Sequence, residues 1–139
     1  MTNAELSDKL MVLFNEARWD EWQAQLASDA TMEDMAVGSK SVGSDEVLAY
    51  AQNWKTIFPD MVGQCDNRID AGDVLVEECS WTGTNTGNIM TPDGGTIPPT
   101  GKSVSLKNVL IWEFKDGKVK AVRNYLDMMT MMSQLGLAG

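Results

Sequence analysis

Before residue 60 the apolar residues of this chain recur every three to four positions, and after it they recur every second position. That change of period constrains the fold more than any single motif. Leu6, Leu10, Leu13, Phe14 and Ala17 make one helical stripe, and Thr2, three residues ahead of Glu5, supplies a capping-box start. Asp20 is placed to cap a short second helix carrying Trp22 and Leu26, and "ATMEDM" predicts a first strand. "SVGSDEVLAYAQNWKTIF" predicts a third helix, with Ser44 as cap, Val47, Ala51, Trp54 and Phe58 on one face, and Pro59-Asp60 as its stop. Strands follow in "GQCDNRID", "VLVEECSWTGTNTG", "SVSLKNVLIWEF" and "KVKAVRNYLDM". Turns at Ala71-Gly72 and Asp116-Gly117 and a Gly/Pro/Thr-rich loop separate them. Helices followed by an antiparallel sheet define an α+β fold, here one domain over residues 1–139.

Charge and composition then remove whole classes of function. Twenty acids against eleven bases leave a net charge of −9, the wrong sign for a phosphate backbone, so no nucleic-acid partner is expected. Lys115, Lys118 and Lys120 do cluster, but around a solvated turn. No apolar run approaches the roughly 18 residues that span a bilayer, and the N-terminus lacks a basic-then-apolar signal. The expectation is a cytoplasmic protein with no membrane contact. The chain has no histidine, which removes the common neutral-pH base, the Ser–His triad and the commonest metal ligand together. Cys65 and Cys79 match no zinc spacing; they flank the turn at "DAGD" and are expected on neighbouring strands as two buried, reduced thiols.

Alternation along the strands locates the polar residues. Val104, Leu106, Asn108, Leu110, Trp112 and Phe114 share one face, where Asn108 is the single polar member. It is either a core amide tied to backbone or a group aimed at a ligand. Leu75, Cys79, Trp81 and Asn85 share a side of the preceding strand, with Asn85 either a turn former or a second pocket amide. On the last strand simple alternation groups Val119, Ala121, Arg123, Tyr125 and Asp127. Asp127 at the edge of Met128, Met129, Met131 and Met132 is solvated, paired, or placed there for chemistry. The methionines read as core filler or as an adaptable pocket wall, and Trp19, Trp54, Trp81, Met35 and Met128 are the candidate wall residues.

"WKTIFPD", "TGTNTG", "PPTGK", "IWEFKDGKV" and "NYLDMMTMMSQLG", in that order, resemble the SnoaL-like polyketide cyclases of the nuclear transport factor two-like superfamily. The resemblance implies a conical α+β barrel, a curved antiparallel sheet wrapped around a pocket that helices close. It also implies a small hydrophobic ligand, no cofactor or metal, and a homodimer or homotetramer. The family's C-terminal strand Asp, the general acid/base of an aldol ring closure, corresponds to Asp127. Where relatives carry a histidine this chain has Asn85, which cannot trade a proton near neutral pH.

Three functions follow as expectations. In the first, a cyclase or isomerase, a desolvated Asp127 with a raised pKa removes a proton alpha to a ketone. Asn85 and Asn108, with Tyr125, then hold the enolate oxygen. In the second, Arg123 pairs with Asp127 and lowers its pKa, giving an epoxide-hydrolase-like water activator with Asp34 as second acid. The third is a binding or dimerisation module without catalysis.

Overall fold

The structure is a computed structural model and describes residues 1–138. Helix α1 (Asn3–Asn15) starts at the expected capping box, in which Thr2 and Glu5 satisfy each other's backbone N–H groups. Its buried stripe is Leu6, Ser7, Leu10, Leu13 and Phe14. Helix α2 (Trp19–Ala24) is capped by Arg18 rather than Asp20, and Leu26 opens strand β1 (Leu26–Asp34) instead of closing the helix. A short strand β2 (Ser39–Val42), not anticipated from its polar sequence, pairs with β1. Helix α3 (Ser44–Ile57) begins one residue after Gly43, its N-cap.

Strands β3 (Val62–Asp70), β4 (Val74–Thr84), β7 (Ser103–Lys115) and β8 (Lys118–Leu126) form the sheet with β1 and β2, in the order β2-β1-β8-β7-β4-β3. The small pair β5 (Ile89–Met90) and β6 (Thr96–Ile97) decorates the loop between β4 and β7, and α4 (Met128–Gln134) closes the chain. The architecture is α+β with a curved sheet, as expected, but the sheet is mixed. β1 runs parallel to β8 while every other pairing is antiparallel. The long connection from β1 through α3 and two hairpins makes that parallel closure possible, whereas a tight turn could not.

Burial on β7 follows the expected alternation, with Val104, Leu106, Asn108, Leu110, Trp112 and Phe114 all inward. β8 does not follow it. Phe114 pairs with Val119 but Glu113 pairs with Ala121, so Lys120 is an extra residue in the ladder. A bulge of one residue reverses the facing of everything beyond it. Val119, Val122 and Asn124 are therefore buried, while Arg123 and Tyr125 turn outward. The core is one cluster in which α1, α2 and α3 cover the inner face of the sheet. Among the described residues no helix is long and apolar enough to cross a membrane.

Candidate functional site

The inner face of the sheet and helices α1 to α3 enclose a cavity of about 100 Å³. Its wall is mostly apolar and aromatic, with Phe14, Trp22, Trp54, Trp81 and Trp112 as its largest members. The polar groups in the wall are few, as is usual for a small-molecule pocket. They are Ser7, Tyr50, Glu77, Asn108 and Asn124 together with the indole N–H groups.

One register row of the sheet places most of them. Glu77 lies opposite Leu110, Leu110 opposite Asn124, and Asn124 opposite Asp34. Directly opposed residues point to the same face, so an acid stands at each end of the row. Asn108 lies one step along, opposite Cys79.

Side chains then join in a single chain of hydrogen bonds. Trp81 Nε1 donates to Asn108 Oδ1 at 2.8 Å, and Asn108 Nδ2 donates to Asn124 Oδ1 at 2.9 Å. Asn124 Nδ2 donates to Tyr50 Oη at 3.0 Å, and the Tyr50 hydroxyl donates to Asp34 Oδ2 at 2.6 Å. Asp34 is buried and uses its other oxygen on the backbone N–H of Ala36. Burial, reinforced by the bond to Asp34, pushes the Tyr50 phenol above its ordinary pKa, so it stays protonated at neutral pH.

At the far side Glu77, 2% exposed, accepts both from Ser7 Oγ, at 2.8 and 2.9 Å, and from Arg68 Nε at 2.6 Å. Arg68 also reaches Asp8 on α1. The pair is thus tied to the helix that lies over it. Trp112 Nε1 is buried and has no partner among the described residues.

Asn108 is inward as expected, but its partners are side chains rather than backbone. Trp54 and Trp81 line the cavity. Trp19 does not; it packs edge-on against Phe14 and Trp22 behind the wall. Met35, 45% exposed, lies outside, and Met128 is partly buried against the core without reaching the cavity. Arg123 faces out and pairs with Glu113 at 2.5 Å, not with Asp127. Tyr125 is 42% exposed and borders a second hollow on the outer face, together with Asp66, Glu78, Lys107 and Asp127.

Asp127 departs furthest from expectation. It is the N-cap of α4, accepting from Thr130 N at 3.1 Å and Thr130 Oγ1 at 2.7 Å. Those two bonds hold its carboxyl below the ordinary carboxylate pKa, opposite to the rise expected from desolvation. Asp127 is exposed, so the methionines that follow it do not desolvate it.

Asn85 is also outside the cavity. It is fully buried, and its four hydrogen-bonding positions are all used. Nδ2 donates to Ile57 O and Gly87 O, and Oδ1 accepts from Thr100 N and Oγ1. It pins the loop after β4 against the end of α3. Gly87 is required there, since a Cβ on it would lie 1.7 Å from Thr56 O.

Sequence reasoning missed Tyr50, Glu77 and Asn124. Tyr50 sits at helical spacing from Val47 and Trp54, and Glu77 falls on the same alternation as Leu75, Cys79 and Trp81. Both signals were available. Asn124 was hidden by the Lys120 bulge, which no sequence pattern announces.

For a cation, Cys65, Glu77 and Cys79 bring ligand atoms within 4.8 Å of one another. Glu77 is already held by Arg68 and Ser7, and burial pushes the Cys79 thiol pKa up. Both features oppose the deprotonated, free donor set that a metal needs. The two thiols are free, as expected, on paired strands; Cys79 is buried and Cys65 half-buried.

A family model for SnoaL-like polyketide cyclases matches residues 4–135. The chain belongs to the SnoaL-like polyketide cyclase family. Solved structures share the fold of this cyclase-family protein. AclR from Streptomyces galilaeus, a candidate hydroxylase, superposes with a TM-score of 0.81 at 20% identity, over 98% of this chain and 96% of its own. IdmH from Streptomyces antibioticus, a candidate polyketide cyclase, gives 0.79 at 22%, covering 96% and 97%. A Catenulispora acidiphila protein with a ketosteroid isomerase-like fold gives 0.79 at 14%, covering 99% and 95%. At these identities the likeness is one of fold. No functionally curated protein matches the chain in sequence.

Proposed function

We propose that this SnoaL-like protein binds a small, largely apolar carbonyl compound in the cavity and enolises it, as a cyclase or isomerase does. The observation that carries this reading is the pair of cavity amides. Asn108 and Asn124 each spend one amide N–H within the hydrogen-bond chain, and each keeps a second for a ligand oxygen. Two amide N–H donors in a mostly apolar wall suit an oxygen on which negative charge develops.

Glu77 is the carboxylate of the cavity wall and is assigned the base. It takes the proton alpha to the carbonyl, and the electron pair moves onto the carbonyl oxygen, where the amides receive it. In a ring closure the enolate carbon then attacks a second carbonyl of the same molecule, and the Glu77 carboxylic acid gives its proton to the alkoxide that forms. In an isomerisation the Glu77 carboxylic acid returns the proton to another carbon.

The test is solvent deuterium exchange alpha to the carbonyl of 1-tetralone and related ketones, followed by NMR. Wild type is expected to exchange, Glu77→Gln to bind without exchanging, and Asn108→Leu to lose about 10²–10³ in rate. Exchange in Glu77→Gln at the wild-type rate would remove Glu77 from the mechanism.

A second reading, binding without catalysis, is favoured by the engagement of both Glu77 oxygens by Ser7 and Arg68. Ketones that bind wild type yet never exchange would select it.

A further inference from the structure

Cys65 and Cys79 are the two cysteines of the chain, and both thiols are free. They stand directly opposite each other on the antiparallel strands β3 and β4. Residues paired in this way point to the same face of the sheet, with Cα atoms about 4.5–5.5 Å apart. Disulfides span Cα separations of about 4.4–6.8 Å, so the register lets this pair close without moving either backbone. The side chains agree with the register. The two sulfurs lie within 4.8 Å of each other, and a Glu77 oxygen lies within the same distance of both. Cys79 is 1% exposed, whereas Cys65 is only partly buried and is the thiol a solute can reach.

We propose that Cys65 and Cys79 form a reversible intramolecular disulfide by exchange with a low-molecular-weight disulfide such as oxidised glutathione. In the first step the Cys65 thiolate attacks one sulfur of the reagent, its S–S bond breaks, and one glutathione thiolate leaves and takes up the proton Cys65 has lost. In the second, Cys79 Sγ attacks Cys65 Sγ, the mixed disulfide breaks, and the second glutathione leaves with the proton of Cys79. Two protein thiols are oxidised and one glutathione disulfide is reduced to two thiols. The bond staples β3 to β4, the two strands that carry the buried pair of Arg68 and Glu77, and gives this part of the cavity wall a reduced and an oxidised state. Burial and the neighbouring Glu77 charge raise both thiol pKa values, with Arg68 opposing the rise at Cys65. Exchange is therefore slow at neutral pH, where little thiolate is present.

The experiment incubates the folded protein with oxidised glutathione at mildly alkaline pH, without denaturant, and follows its intact mass. Wild type is expected to lose two hydrogens and to regain them with dithiothreitol. Trypsin cuts after Arg68, between the two cysteines, so the oxidised protein is expected to yield two joined peptides that reduction separates. Cys79→Ser is expected to stop at one glutathione on Cys65, and Cys65→Ser is expected to form no internal bond.

Urea unfolding supplies a readout of whether the bond fits the native sheet. A cross-link that does so restricts the unfolded chain, so the midpoint of the oxidised protein is expected to rise and to return to its starting value on reduction. The Cys65→Ser midpoint is expected not to respond to glutathione disulfide. Thiols left unmodified, a mixed disulfide that persists in wild type, a disulfide-linked dimer, or a lower midpoint after oxidation would each overturn the proposal. None of these measurements uses a ketone, so the proposal stands or falls apart from the enolising reading.

Discussion

Asn108 on β7 and Asn124 on β8 are joined side chain to side chain at 2.9 Å, in the middle of an otherwise apolar face. Each amide orients the other, and each has a second N–H that the chain of bonds does not use. Neither residue reaches its role alone, and the bond exists because a bulge at Lys120 turns Asn124 inward.

Asn124→Leu removes a donor from Tyr50 and an acceptor from Asn108. Loss of one partner leaves the other desolvated, at a cost of about 1–3 kcal/mol. Urea unfolding is expected to show a lower midpoint with an unchanged slope, and ketone affinity is expected to fall with it. The double variant Asn108→Leu/Asn124→Leu should recover part of the lost stability, since it removes both partners together.

Arg68 and Glu77 meet at 2.6 Å where Glu77 is 2% exposed. Arg68→Met leaves that carboxylate buried without its counter-charge. The expected loss of stability is about 3 kcal/mol, read by urea unfolding near neutral pH. Glu77→Gln should cost less, because the amide keeps an acceptor for Ser7 and carries no charge to strand. An Arg68→Met protein as stable as wild type would contradict the pairing.

Asp127 contributes to stability through its two bonds from Thr130. Its folded pKa is depressed, so its contribution is fully present above the unfolded value, near 3.9. That contribution is lost as pH falls through the lower folded value. Asp127→Ala is therefore expected to melt earlier than wild type at neutral pH, and the two melting temperatures should converge as pH falls below the depressed folded value. Deuterium exchange on bound ketone is expected to survive the substitution. Abolished exchange in a folded Asp127→Ala protein would return this residue to the mechanism.

Asn85→Ala strips four hydrogen bonds from a fully buried position. The groups it leaves unpaired predict a loss of about 2–4 kcal/mol, visible as a lower urea midpoint. Ketone binding should be unchanged where the protein remains folded, because Asn85 does not border the cavity. A selective loss of ketone binding with unaltered stability would show that it reaches the ligand after all.

The change of period near residue 60, the capping box at Thr2 and the two Gly turns are local features, so the α+β class, α1, α3 and the four long strands after residue 60 were legible without coordinates. So was the inward face of β7, since a strand without a bulge obeys strict alternation. Asn108 could be picked out for that reason. The family motifs at the C-terminus were equally legible, but a motif does not say which way its acid points.

What the tertiary structure alone decided was the facing of β8 and the membership of the cavity. One extra residue at Lys120 moved Asn124 in and sent Arg123 and Tyr125 out, and the start of α4 turned Asp127 from a pocket acid into a helix cap. The sense of the hydrogen-bond chain needed more still. It links side chains from α3, β1, β4, β7 and β8, up to 74 residues apart in sequence. Periodicity reports which face a residue takes within its own element. Which other element supplies its partner depends on how the elements close around the core, and that is a property of the folded chain.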